Sequence, residues 1–140
     1  MTDQDIRWQQ RFAQFEKAYL LLQQAIEIET PSIIERAGLV QFYERSFEHA
    51  CELLKDHARV QGLTVVSPRV AIKEACRSGL LTAPRQWEIA LQKQTQTRMV
   101  YEEKIAVEVE GQISDLYLPL LEELHSTFSK KLFEKAEVLQ

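Results

Sequence analysis

The groups best able to do chemistry in this sequence stand in what reads as one helix. Glu44, Glu48 and Glu52 recur every four residues, so a helix lines their carboxylates along one face, with Lys55 one turn further on. Such a stripe is either a solvated acidic face steadied by the lysine or the wall of a cleft in which one carboxylate acts as general base. His49 and His57 share the segment but stand eight residues apart, beyond the adjacent-turn spacing with which two histidines grip a metal. His49 with Cys51 has no second pair to complete a tetrahedral site. Glu122 and His125 make a single Glu-x-x-His pair, whereas a di-iron bundle needs two such pairs and two further glutamates. They read as a solvated pair on a helix surface. No serine has the G-x-S-x-G setting of a nucleophile elbow, and no glycine-rich phosphate loop is present. No complete catalytic centre is legible.

Helices must position these groups. Trp8, Phe12, Phe15, Tyr19, Leu22 and Ile26 step by four and three residues, which predicts an amphipathic helix ending at Thr30-Pro31. Ser32 and Glu35 then form a capping-box pattern for a second helix to about Gln61, stopped by Gly62. Its core positions are Leu39, Tyr43, Phe47, Ala50, Leu54 and Ala58, and Gly38 inside it suggests a kink or a close helix contact. Leu63 to Val66 is strand-like but has no partner strand, so it reads as an extended connection. Ser67-Pro68 opens a short third helix that Gly79 closes, and Thr82 with Pro84 opens a fourth through Trp87, Ala90 and Leu91. The last helix carries Ile105, Val109, Ile113, Leu116, Leu120 and Leu124 on one face. It should kink or break before Pro119, and its residues after Leu132 should fray. The expected fold is an all-α, antiparallel up-and-down bundle of the four-helix type, with the two short helices forming one crossover between long members.

Bulk properties narrow the function classes. The 140 residues suit a single domain spanning 1–140, and 45% hydrophobic with 27% charged residues can bury a core without disulfides. A net charge of −4 does not advertise binding to nucleic acid or to an anionic membrane. Lys73, Arg77, Arg85, Lys93 and Arg98 could form a local basic patch, although ordinary solvated helix faces explain them as simply. Cys51 and Cys76 lack metal-type spacing and read as half-buried free thiols in a reducing compartment. No signal peptide and no membrane-length apolar run is visible, so a cytoplasmic location is expected.

Four segments carry a resemblance that reaches over nearly the whole chain. They are DIRWQQRFAQFEKA (Asp5–Ala18), FYERSFEHACELLKD (Phe42–Asp56), SPRVAIKEACRSGL (Ser67–Leu80) and YLPLLEEL (Tyr117–Leu124). In order and spacing they resemble the nucleotidyltransferase substrate-binding proteins, helical-bundle members of the HEPN class (higher eukaryotes and prokaryotes nucleotide-binding). The resemblance implies a fold like the substrate-binding domain of kanamycin nucleotidyltransferase and a role as half of a split enzyme. A small nucleotidyltransferase subunit, encoded next door, would carry the nucleotide and Mg2+, and this chain alone would bind no cofactor. A homodimer is also implied, with no membrane and no specific nucleic acid as partner.

Related pairs behave as toxin and antitoxin, the HEPN member being an RNase with an Arg, four to six residues, then His-x-Tyr. Here Gln94 stands at the arginine position, Met99 at the histidine position, and Tyr101 alone matches. A neutral amide cannot replace a guanidinium against a phosphorane, and a thioether cannot transfer a proton. The motif is therefore degenerate, and this chain is expected to have no RNase activity and no catalytic residue of its own. The resemblance leaves Glu44, Glu48, Lys55, Arg98 and Tyr101 as residues for a cleft facing substrate or partner. The alternative function is an RNase-inactive, toxin-like module regulated by its nucleotidyltransferase partner, with Tyr101 as the modified residue.

Overall fold

The computed structural model describes residues 2–65, 67–97 and 103–138, and the described residues are helical with no strand. In chain order the elements are α1 (Asp3–Ile26), α2 (Ile33–Val60), α3 (Pro68–Arg77), α4 (Pro84–Thr97), α5 (Glu103–Gln112), a π-helical turn (Ile113–Tyr117) and α6 (Leu118–Val138). No helix among the described residues is long and apolar enough to cross a membrane.

Local chemistry fixes the ends. Ser32 accepts from the Glu35 amide at 3.1 Å while the Glu35 carboxylate accepts from the Ser32 amide at 3.0 Å, so the capping box forms as expected. Thr2 and Asp5 make a second one at the start of α1. Ser67 caps α3 by accepting from Val70, and Pro68 opens its first turn. Gly79 adopts φ +83°, the left-handed conformation in which the amides of Leu80 and Leu81 reach back to the Ala75 carbonyl. α1 stops at Ile26, earlier than Thr30-Pro31, because the chain needs Glu27 to Ser32 to reverse direction. Leu63 to Val65 is the irregular connection expected, with Val65 buried, while Val66 lies outside the described residues.

Long-range contacts give the topology. Arg36 near the start of α2 pairs with Glu110 on α5 at 2.9 Å. At the opposite end Lys135 of α6 pairs with Asp5 of α1. The unit formed by α5, the π turn and α6 therefore runs alongside α2 and against α1. Thr82 donates its amide to Glu123 at 2.8 Å, and Tyr117 donates to the Ala90 carbonyl at 3.2 Å, so α4 rises antiparallel to that unit. The result is an up-down-up-down bundle. Only α3 acts as the crossover; α4 takes the fourth place because Trp87 and Ala90 are buried, Trp87 lying 6.1 Å from Phe47 between ring centroids.

The core follows the apolar seams. Trp8, Phe12, Phe15, Tyr19 and Leu22 of α1 are buried, as are Leu39, Tyr43, Phe47, Ala50, Leu54 and Ala58 of α2. From the last unit Val109, Ile113, Leu120 and Leu124 join them. Ile26 and Leu116 are only half-buried, and the Ile105 side chain lies outside what the structure describes.

The expected break before Pro119 takes the form of the π turn Ile113–Tyr117, in which the Leu118 amide bonds Ile113, five residues back, and the wider coil accommodates a ring that would clash in an α-helix. Two local expectations change. The end of α6 is not frayed, since it stays helical to Val138 and Lys135 is tied to Asp5. Gly38 marks no close contact: a Cβ built there would meet only Phe42 Cε2 at 4.0 Å. Gly38→Ala is accordingly expected to stabilise the protein by about 0.5–1 kcal/mol, by removing the entropy that glycine gains on unfolding. A rise in thermal midpoint checks this, and a fall would show that α2 does use the missing Cβ.

Candidate functional site

α2 carries the acidic stripe where the four-residue spacing puts it. Glu44 and Glu52 are half-buried, Glu48 is exposed, and Lys55 pairs with Glu52 at 3.3 Å. Gln94 is half-buried on α4. Arg98, Met99 and Tyr101, the other candidate residues, lie outside the described residues.

The histidines serve packing. His57 is buried, edge-on to Trp8 at 6.0 Å and to Phe128 at 5.2 Å between ring centroids. Burial, reinforced by Lys131, pushes its pKa down to about 4, so it is neutral at pH 7. His125 is not the solvated partner of Glu122. Its Nε2 meets Glu16 of α1 at 2.8 Å and its ring stacks on Tyr19 at 4.9 Å, which clamps α6 to α1. His49 is half-buried, and its pKa is lowered by burial and then by Arg11. No cluster of three or more His, Cys, Asp or Glu side chains able to hold a metal occurs among the described residues.

Neither thiol is poised as a nucleophile. Cys51 is buried, more deeply than its pattern suggested, and burial pushes its pKa up to about 12. Cys76 is half-buried, and burial raises its pKa, with the Glu123 charge adding to the effect. Burial also holds the Tyr43 hydroxyl far above the ordinary phenol range.

One concave surface combines an apolar lining with a charged rim. α3 and α4 lie antiparallel as a helical hairpin, and between them runs a groove of about 230 Å³. Ile72, Trp87 and Leu91 supply apolar lining, Cys76 and Pro84 lie along it, and Arg69, Lys73 and Arg85 bring three cations to it. Glu88 is its single carboxylate, 4.0 Å from Arg69. Lys73 and Arg85 are exposed and make no ion pair among the described residues. Glu44, Glu48 and Lys55 do not line this groove.

The sequence had brought Lys73 and Arg85 together only as members of a loose basic stretch. The signal that could have placed them face to face was the short spacing between Gly79, which closes α3, and Pro84, which opens α4. A short connection keeps two successive helices adjacent, so residues on their facing sides can meet.

A second, broader groove of about 500 Å³ lies between α1 and α2, where Lys17, Arg45 and His49 surround Ala18, Leu21 and Phe42. It is more open than the α3–α4 groove, and Gln14 and Gln41 join its charged residues in making the lining more polar.

Residues 10–130 match the sequence model of the family described as "nucleotidyltransferase substrate binding protein like". No curated protein sequence matches the chain. Among solved structures, a protein from Thermus thermophilus is similar, with 29% identity and a TM-score of 0.71, over 79% of this chain and 94% of that one.

Proposed function

The chain belongs to the nucleotidyltransferase substrate-binding protein-like family, and from that premise we propose that it is the non-catalytic, substrate-positioning subunit of a two-component nucleotidyltransferase. The observation that supports this reading is the extent of the family match, which starts within α1 and ends within α6 and so reaches every helix of the bundle. Nucleotide and Mg2+ belong on a small catalytic partner encoded by a neighbouring gene. The bundle is a homodimer in the cytoplasm that completes the partner's cleft. Glu44, Glu48, Lys55, Gln94, Arg98 and Tyr101 are the residues proposed to face partner or acceptor.

Co-expression with the neighbouring nucleotidyltransferase tests the reading. Co-elution of the two chains, with labelled ATP transferred to a small acceptor only when both are present, is the expected result. Elution as separate species overturns it. Label appearing on Tyr101 instead assigns the chain to the regulated, toxin-like alternative. Cleavage of single-stranded RNA by the purified chain, lost on changing residues 94–101, overturns the expected lack of RNase activity.

A further inference from the structure

The groove between α3 and α4 has the two properties that select an amphipathic anion. Its accessible apolar lining of Cys76, Pro84 and Leu91, with Ile72 and Trp87 buried directly beneath, favours an apolar body, which gains about 25 cal/mol for each Å² taken from water. Lys73 and Arg85 stand beside it without ion-pair partners among the described residues, whereas Arg69 already faces Glu88. This cationic mouth sits on a protein whose net charge is −4, so the potential there opposes that of the molecule as a whole. The first turn of α4 opens at the same end, where the helix dipole also favours negative charge.

Size restricts the occupant. At about 230 Å³ the groove is smaller than the roughly 300–1,000 Å³ of sites for drug-sized ligands. An α-helix, about 10–12 Å across with its side chains, is too bulky for it. One ring or a short branched chain fits.

We propose that the α3–α4 groove binds a small amphipathic anion, a single ring or compact apolar group bearing one carboxylate or phosphate, and that this is the acceptor class the subunit presents. The second part rests on the subunit reading above. Lys73 and Arg85 hold the anionic group, and Cys76, Pro84 and Leu91 hold the apolar body above the buried Ile72 and Trp87.

The chain has only two tryptophans, and Trp8 packs against His57 and Phe128, away from this groove. Its two indole N–H signals in a proton–nitrogen correlation spectrum therefore report separately, with Trp8→Phe used for assignment. Benzoate and phenyl phosphate are expected to shift the Trp87 signal saturably, with a dissociation constant of about 1 mM or tighter, and to leave the Trp8 signal in place. Benzamide, benzyl alcohol and inorganic phosphate should bind about tenfold more weakly or worse, and Lys73→Glu/Arg85→Glu should lose about tenfold or more in affinity for both anions.

Iodoacetamide should label Cys76 more slowly when either anion is bound. A response to benzoate alone identifies the carboxylate as the anion, and a response to phenyl phosphate alone identifies the phosphate. Equal binding of the uncharged probes, undiminished binding by the double variant, or no saturable shift at about 10 mM overturns the proposal. A stable complex with the partner and a silent Trp87 removes the groove while keeping the subunit reading. A responsive Trp87 without any complex does the reverse.

Discussion

Replacing Arg11 and Arg59 together by methionine is expected to cost about 3–5 kcal/mol of folding stability, read as a lower urea midpoint at unchanged slope. Both arginines converge on Asp56, at 3.3 and 2.7 Å, and the Asp56 side chain is only 1% exposed. The arginines are themselves 31% and 36% exposed. That difference makes the effects unequal. Without the arginines a buried carboxylate has no compensating charge and cannot reach water. Without the carboxylate, in Asp56→Leu, both guanidiniums swing outward and rehydrate, so the cost falls to about 1–2 kcal/mol. The triple variant Arg11→Met/Arg59→Met/Asp56→Leu should recover most of the loss, because no charge is then left buried. A double variant as stable as the wild type would show that Asp56 is solvated after all.

Lowering the pH from 6.5 to 4 should remove about 3 kcal/mol of stability through His57. The folded pKa lies below the ordinary histidine value, so the unfolded chain takes up the proton first. Nothing is lost above pH 6.5, the loss grows below it, and it stops growing once the folded protein also protonates near pH 4. The charged groups acting on the ring are Lys131 and Lys135 of α6, which oppose protonation, and Asp5 of α1, which favours it. Asp5 adds nothing in this window, because the Lys135 ammonium and Thr2 hold its carboxyl below the usual range and its contribution is lost only at lower pH. His49 acts in the same direction as His57. Denaturation midpoints at intervals of pH, compared between the wild type and His57→Phe, isolate the effect. Parallel profiles would sink it.

The helices were legible because their signals are local. Trp8 to Leu22, the Ser32–Glu35 box and the Pro68–Gly79 pair each state an element within a few turns of chain, and the structure keeps all three. Side-chain roles were not legible where the partner is remote in sequence. Asp56 meets Arg11 across 45 residues, and His125 meets Glu16 across 109. No periodicity within one helix could reveal either pair. Glu122 looked like the partner of His125 because it is one turn away, but helix packing offered the histidine a carboxylate and an aromatic face on α1 instead. The fraying expected after Leu132 failed for the same reason, since the anchor for Lys135 is at the other end of the chain. The α3–α4 groove shows the intermediate case: Lys73 and Arg85 were visible in the sequence as part of a basic stretch, but Arg69 was not, and the apolar lining exists only where two helices meet.

The π turn before Pro119 has a consequence for how this helix can change length. Val109 and Phe128 are both buried although nineteen positions separate them. In an unbroken α-helix Phe128 would point about 100° away from Val109, whereas one residue absorbed in a wider turn returns it to the same side. Deleting an exposed residue such as Ser114 would tighten the turn to α and leave Leu120, Leu121, Leu124 and Phe128 in phase, but it would press Pro119 against the carbonyl four residues back. The surplus residue and the proline are therefore expected to be inherited as one unit, and a relative one residue shorter here should have no proline at the position of Pro119.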